Sequence, residues 1–365
     1  MKFKKIAALI LSAICIFGSL SLFAFAENDS GSFSMLNYNV AGLPDFGALT
    51  EDIYALTVKE KEVIIGNILN ESGVDFIAVQ EDFNYHKQLI SGMTAYEYQT
   101  IHSGGVPFGD GMNIYSKTPI YNAERTPWRT TYGVYAEGDR LTPKGILYTV
   151  IEIADGVYAD FYDIHADAFC TEGSKAARRD NYTQLAEIIN SKNNDRPVII
   201  TGDFNTSIHL ETDAYGDSDA SDYSSADIRR IFINQLGMKD AYIELHNDGN
   251  YYDFSKCCNP AISYWGNWDS VEKFLYRDGG GIHLEAKEFE YIAYTDENGG
   301  IYSDHNAAKV TFTYEKTADY TAADTSSFEV EKPHYIKKFF QNIGFFFKTL
   351  FICLANLSEA FELLA

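Results

Sequence analysis

Carboxylates, amides and histidines recur in this sequence directly after runs of apolar residues. Gln80-Glu81 follows Phe76-Ile77-Ala78-Val79, and Asp203 and Asn205 follow Val198-Ile199-Ile200 in Thr201-Gly202-Asp203-Phe204-Asn205. His165 closes another such run, in Asp163-Ile164-His165-Ala166-Asp167-Ala168, and Ser303-Asp304-His305 precedes one. A glutamate so placed suits a hard cation such as Mg²⁺, which takes few protein carboxylates and keeps several waters. Residues two apart in extended chain point the same way, so Asp203 and Asn205 are expected on one face. The acid there would orient a water or ligate metal, and the amide would donate to a phosphoryl oxygen. Asp-x-Asn also suits an Asx turn. An Asp beside a His can fix its tautomer and stabilise its protonated form when geometry brings them together, which adjacency alone does not guarantee. His165 is suited to general acid catalysis. Taken singly, each residue also has an ordinary structural explanation.

Alternating strands and helices must position these groups. Strands are expected over 33–39, 75–80 and 111–116. A hairpin over 148–153 and 157–165 is expected to turn at Asp155-Gly156. An apolar strand is expected at Val198-Ile199-Ile200, ending at Gly202-Asp203-Phe204-Asn205, and further strands over 272–276, 286–293 and 307–314. Apolar residues near helical spacing predict helices over 58–71, 174–191 and 226–236, and Gly73 sits where the first would stop. The polar candidates therefore fall beyond strand ends, where sites are usually built.

The two ends of the chain read differently. Lys2, Lys4 and Lys5, an apolar run from Ile6 to Phe25, and Ala24-Phe25-Ala26 before Glu27 have the layout of a secretory signal peptide over 1–26. An uncleaved membrane anchor is the alternative. Residues 315–332 are polar and read as a linker. In 333–365, Ile336, Phe340, Ile343, Phe347, Leu350, Leu354, Leu357, Phe361 and Leu364 recur at three- or four-residue steps, as in an amphipathic helix. It would lie in a membrane surface through 336–364, or pack on its own domain or a partner. Lys348 interrupts its apolar run and counts against a spanning helix.

The net charge is −23, and because residues 1–26 carry three lysines and no acid, the remainder is about −26. Such a surface repels the nucleic-acid backbone, although a bound metal inverts the sign inside a site. An exported chain can form disulfides, so Cys170 with Cys257 or Cys258 is an open pairing, and the cysteine spacing fits no zinc pattern.

Taken in order, Leu36-Asn37-Tyr38-Asn39-Val40-Ala41-Gly42-Leu43-Pro44, Ala78-Val79-Gln80-Glu81, Gly109-Asp110-Gly111-Met112-Asn113-Ile114-Tyr115-Ser116, Ile164-His165-Ala166-Asp167-Ala168, Gly202-Asp203-Phe204-Asn205 and Ser303-Asp304-His305 resemble the successive motifs of the endonuclease/exonuclease/phosphatase superfamily. The resemblance spans about residues 33–314, within a catalytic domain set at 27–314. It implies a four-layered α/β sandwich, two mixed β-sheets flanked by helices. It also implies roles. Asn39 and Glu81 would hold Mg²⁺, Mn²⁺ or another divalent cation. Asp203 would orient the attacking water and Asn205 would stabilise phosphoryl oxygens. His305, oriented by Asp304, would be general base or transition-state stabiliser, and His165 would assist the leaving group or bind phosphate. In related secreted proteins an Asp-Lys is expected where this chain has Glu272-Lys273. Glu272 is kept as a support residue, and Asp269 is an alternative.

Asp139-Arg140-Leu141-Thr142-Pro143-Lys144-Gly145 and Gln80-Glu81-Asp82-Phe83-Asn84-Tyr85-His86 look most like the secreted sphingomyelinase-like branch, with Arg140 and Lys144 as substrate-binding candidates. The expected substrate is a phosphodiester, first of all a phospholipid, hydrolysed by a secreted monomer that touches a membrane peripherally. The aromatic stretch 262–268 would be an interfacial loop or packing. The alternatives are a secreted nuclease, disfavoured by the missing basic stripe, an inositol-phosphate phosphatase, and a non-catalytic binding module.

Overall fold

The computed structural model describes residues 29–44, 56–133, 139–169, 171–192, 195–206, 224–252 and 271–331, together with Phe347, Phe351 and Leu354. Twelve strands form two six-stranded sheets. The first has the order β11-β12-β1-β2-β4-β3, built from Ile282–Ile292, Ala307–Lys316, Ser30–Asn39, Phe76–Gln80, Asn113–Ser116 and Tyr98–Gln99. The second has the order β5-β6-β7-β8-β10-β9, built from Ile120–Pro127, Gly145–Ala154, Val157–His165, Val198–Asp203, Glu272–Arg277 and Lys239–Asp240.

Each sheet is mixed for the same reason. One parallel pair, β1 with β2 or β7 with β8, sits among antiparallel neighbours. Strand alternation splits the apolar residues into layers. Met35, Phe76 and Phe312 of the first sheet meet Leu147, Phe161, Ile199 and Phe274 of the second in a central core. Their neighbours face outward. Leu36, Ile77 and Val79 pack under α1 (Val58–Glu71) and α2 (His86–Ser91) through Ile65, Leu69 and Leu89. Tyr162, Ile164 and Ile200 pack under α3 (Glu172–Lys192) and the π-helical turn Arg229–Gln235 through Tyr182, Leu185, Ile189 and Phe232. Helix, sheet, sheet and helix make the expected four-layered α/β sandwich.

Local chemistry sets the element ends. Thr57 accepts from Glu60 N while the Glu60 side chain accepts from Thr57 N, a reciprocal cap that starts α1. Gly202 has φ +137° inside β8, and a Cβ there would meet Ile164 O at 2.0 Å. Only glycine lets β8 approach β7 this closely just before Asp203.

Two boundaries differ from expectation. β11 begins at Ile282, because the Gly279–Gly281 turn reverses the chain earlier than the apolar pattern suggests. The segment read as a linker over 315–332 starts inside β12, and its described part, up to Glu331, then runs back over the second sheet. There Phe328 packs against Tyr121 and Tyr158, and Val330 bridges to Tyr121. Residues 1–26, read as a signal peptide, the 262–268 stretch, Asp269, every cysteine, and all of the 333–365 segment but three residues lie outside the described residues. Those three, Phe347, Phe351 and Leu354, are helical and exposed. Among the described residues, no helix is long and apolar enough to cross a membrane.

Candidate active site

The parallel pairs bring the polar candidates to one edge of the sandwich. In the first sheet Asn39 is paired with Gln80 at the carboxyl ends of β1 and β2. In the second, His165 is paired with Asp203 at the ends of β7 and β8, and antiparallel β10 begins with Glu272 opposite Asp203. Ser303-Asp304-His305 lies just before β12, antiparallel to β1, so it returns to the same edge. Strand ends at such an edge leave side chains clear of the ladder to form a site.

Asn39 is the hub. Its Nδ2 lies 3.2 Å from Glu81 Oε1, 3.1 Å from Asp203 Oδ2 and 3.3 Å from His305 Nε2. Asp203 is buried. Its Oδ1 accepts from Asn205 N at 2.8 Å, while Oδ2 lies 3.4 Å from His165 Nε2 and 3.8 Å from His305 Nε2. Glu81 and Asn205 both have positive φ, +61° and +49°. That costs a non-glycine residue about 1–2 kcal/mol, and such strain clusters at functional sites.

The orienting partner of His305 is Glu272, not Asp304. His305 Nδ1 is 2.6 Å from Glu272 Oε1, whereas Asp304 Oδ1 lies 4.0 Å from Nε2, on the other side of the ring. Sequence neighbours on a strand-end loop diverge, while Glu272 arrives from the facing sheet. Glu272 is 1% exposed, and its carbonyl accepts from Tyr291 OH at 2.9 Å. The extra methylene, relative to the expected aspartate, reaches the imidazole unaided.

Electrostatics follow from this crowding. Burial opposes charge on His305, but Glu272, Asp203 and Asp304 outweigh it and hold the ring well above its ordinary pKa. Burial, and then the Asp304 charge, raise the Glu81 carboxyl, with His305, Lys144 and Asn39 pulling the other way. His165 is the opposite case. Burial, then Lys144 and His305, hold it well below its ordinary value, and its Nδ1 finds no hydrogen-bond partner among the described residues. It is therefore a neutral imidazole that donates toward Asp203, which narrows its expected part in proton transfer.

The remaining candidates are mostly committed. Asn205 Nδ2 donates to Ala166 O at 3.1 Å, leaving one further N–H on that amide. Lys144 is buried, pairs with Asp139 and reaches Ala166 O at 3.4 Å. Burial would lower it, but Asp139 and then Asp203 hold its pKa up. Arg140 donates to Thr131 O and lies over the Tyr132 ring. Trp128 was missed in the sequence. Its Nε1 donates to His165 O at 2.6 Å and fixes the end of β7, and nothing local to Trp128 signals this.

The donor set fits a hard cation. Glu81 is a carboxylate whose charge is disfavoured by burial and by a second carboxylate, so a positive ion would relieve it. Asn39 faces Glu81 with its nitrogen while its Oδ1 accepts from Ala41 N at 3.0 Å. It would offer oxygen to a cation only with the amide turned over. Among the described residues, two clusters bring three ligating groups within 4.8 Å of one another. These are Asp203, Glu272 and His305, and separately Asp82, His86 and His102.

Comparison with known proteins agrees with this layout. Residues 36–270 match the family model described as Endonuclease/Exonuclease/phosphatase family. Over 293 residues the chain is 31% identical to the sphingomyelinases of Mycobacterium tuberculosis and Mycobacterium bovis, covering 78% of this chain and 53% of those proteins. It thus spans about half the length of the curated relatives it matches. Among solved structures, a humanized D. rerio TDP2 superposes with a TM-score of 0.56 at 15% identity, over 77% of this chain and 98% of that one. Sphingomyelinase C from Streptomyces griseocarneus gives 0.51 at 17% identity, over 77% and 99%. A double mutant of Staphylococcus aureus beta toxin with bound magnesium ions gives 0.51 at 16%, over 77% and 99%. At these identities the structures share the fold.

Proposed function

This chain belongs to the endonuclease/exonuclease/phosphatase family, and from that premise we propose that it is an exported, divalent-metal-dependent phosphodiester hydrolase acting on phospholipid headgroups, as a sphingomyelinase or other phospholipase C does. The reading rests chiefly on the His305–Glu272 pair facing Asp203, Asn39 and Glu81 across one edge of the sandwich. The 31% identity to mycobacterial sphingomyelinases supports the lipid substrate. Phe347, Phe351 and Leu354, exposed and helical at steps of four and three, support membrane contact through the C-terminal segment. We take the acting species to be a monomer.

In this reading, Glu81 and Asn39 would hold Mg²⁺, which when bound offsets negative charge on the phosphoryl group and on the oxygens exchanging at phosphorus. Asp203 orients the attacking water, since its Oδ2 is the point on which Asn39, His165 and His305 converge. His305 Nε2 takes or shares the water's proton, and Glu272 keeps Nδ1 protonated so that Nε2 faces the centre. The further N–H of Asn205 would donate to a phosphoryl oxygen, while the neutral imidazole of His165 spends its one N–H on Asp203 and helps hold that carboxylate in place. Lys144 would supply buried positive charge, and Arg140, which lies over the Tyr132 ring, would bind the headgroup. Catalysis of this kind is mainly positioning and charge stabilisation.

The test is hydrolysis by the purified full-length chain of sphingomyelin liposomes, duplex DNA and phosphoinositides, with Mg²⁺ and with chelator. Chelator-sensitive release of phosphocholine from the liposomes is expected. Turnover of DNA alone, or release of inorganic phosphate alone from phosphoinositides, would overturn the phospholipid-diesterase assignment, and turnover of none would overturn the enzyme.

A further inference from the structure

A second cluster begins one residue beyond Glu81 and has no part in the reaction above. Asp82 lies in the turn after β2, His86 opens α2, and His102 lies in the loop after β3. We propose that Asp82, His86 and His102 form a binding site for a divalent transition-metal ion of the zinc class, separate from the cation held at Glu81.

The ligand chemistry sets the class of ion. One carboxylate and two imidazoles suit Zn²⁺ and its neighbours, whereas Mg²⁺ and Ca²⁺ prefer oxygen donors throughout. The ligating atoms lie within 4.8 Å of one another.

The hydrogen bonds around the rings have the pattern that prepares histidines for metal. His102 Nε2 lies 2.9 Å from the Asp82 carbonyl oxygen. A carbonyl only accepts, so Nε2 carries the proton and Nδ1 keeps the lone pair. His86 Nδ1 lies 2.6 Å from Asp82 Oδ2. The Asp82 carbonyl therefore fixes the His102 tautomer as an outer-shell partner does, whereas His86 Nδ1, the ring nitrogen beside the Asp82 carboxylate, would exchange its contact with Oδ2 for the ion. The rings stack at 4.1 Å with 13° between their planes, so sharing one ion requires a ring to turn out of the stack.

The carboxylate supplies an independent indication. Asp82 is 1% exposed. Its Oδ2 also accepts from Asn113 Nδ2 at 2.8 Å and Tyr115 OH at 3.0 Å, which fixes it in place. Its Oδ1 is buried and finds no hydrogen-bond partner among the described residues. A buried carboxylate oxygen without a donor is costly, and a cation removes that cost. The His86 side chain is 17% exposed, so an ion can arrive from solvent. Asp82 N donates to Gly111 O at 2.9 Å, so an ion here would also stiffen the turn that presents Glu81.

The test uses the full-length chain, stripped with chelator and returned to excess Mg²⁺ so that the oxygen-preferring site is filled. Zn²⁺ is titrated by calorimetry and Co²⁺ by visible absorption, with X-ray absorption on the Zn²⁺-loaded protein. One tight equivalent is expected in the wild type and in Glu81→Gln. Binding should weaken at least ten-fold in His86→Gln and in His102→Gln, and the Zn²⁺-dependent rise in Tm should shrink with it. Two imidazole ligands are expected in the wild-type spectrum, a readout that needs no variant to fold. No binding by the wild type, an all-oxygen shell, unchanged affinity in both histidine variants, or loss in Glu81→Gln alone would each overturn the site.

Discussion

Replacing Glu272 with glutamine separates two accounts of how His305 is made useful. The carboxylate lies 2.6 Å from Nδ1, is fully buried and comes from the opposite sheet. Glutamine keeps the shape and removes the charge. A hydrogen bond to a charged group is worth about 1.5–3 kcal/mol, and an amide can also donate to Nδ1 and select the wrong tautomer. General acid–base assistance sets an upper bound of about 10⁴-fold. We expect kcat to fall about 10²-fold with KM nearly unchanged, because Glu272 is screened from substrate by His305. Glu272 is also the foremost of the three carboxylates that raise His305, so the basic group in the pH–rate profile should move to lower pH. Glu272→Asp withdraws the carboxylate by one bond, about 1.5 Å, which takes 2.6 Å beyond hydrogen-bonding reach. It should resemble Glu272→Gln in rate. Asp304 is 30% exposed and 4.0 Å from Nε2, so Asp304→Asn should cost less than about 10-fold after solvent screening. Initial rates on a soluble chromogenic phosphodiester and on sphingomyelin liposomes, in saturating Mg²⁺, measure all three. A Glu272→Gln rate within threefold of wild type, or a larger loss in Asp304→Asn, would refute the assignment.

Other consequences are equally direct. Glu81→Gln should raise the Mg²⁺ concentration needed for half-maximal rate at least ten-fold, and an unchanged midpoint would remove Glu81 from the cation site. Burial, and then the neighbouring Asp139 charge, push the Asp167 carboxyl up to about 7. Its contribution to stability is therefore full below about pH 4 and lost as pH rises through 7. Asp167→Asn should flatten the fall in Tm between pH 5 and 8, leaving the share due to Glu62 and Asp163, which burial also raises. An Asp167→Asn slope equal to wild type would contradict that shift. Gly202→Ala should destabilise the chain by roughly 2–5 kcal/mol through strain and overpacking, because its Cβ would sit 2.0 Å from Ile164 O. Wild-type urea stability in that variant would show that β7 and β8 do not approach as described.

The sequence disclosed what is written locally. The Val58–Glu71 helix, the 157–165 strand with its Gly156 turn, and the apolar run into Asp203 were all legible, because periodicity and turn chemistry act over a few residues. So was the placing of Glu81, Asp203 and His305 beyond strand ends. What stayed hidden was partnership across distance. Glu272 meets His305 only because β10 pairs antiparallel with β8 while β12 pairs antiparallel with β1, and the two sheets then face each other. No spacing between positions 272 and 305 encodes that. Adjacency instead pointed to Asp304, whose side chain diverges. Arg125 is hidden for the same reason, since its bidentate grip on Asp110 joins an edge strand of one sheet to a loop of the other.

The directions of the shifts at the site argue for a cation on grounds independent of family. Glu81, Asp203, Glu272 and Asp304 crowd one edge of the sandwich. Against them stand His305, Lys144 and the buried Lys61, but Lys144 is paired with Asp139 and the charge of Lys61 is answered first by Glu62. Without further positive charge, Glu81 is driven toward its neutral form and His305 is held as a cation. Neither state suits hydrolysis, since a neutral carboxyl is a poor ligand and an imidazolium cannot accept a proton. A divalent charge beside Glu81 acts against both effects. It favours the ionised carboxylate and opposes protonation of the ring a few ångströms away. Chelation would then do more than remove a Lewis acid. It would leave the general base already protonated, so the basic group in the pH–rate profile should move to higher pH as Mg²⁺ is lowered below saturation. A profile that keeps its shape while only its height falls would mean that the cation and His305 do not share an electrostatic environment.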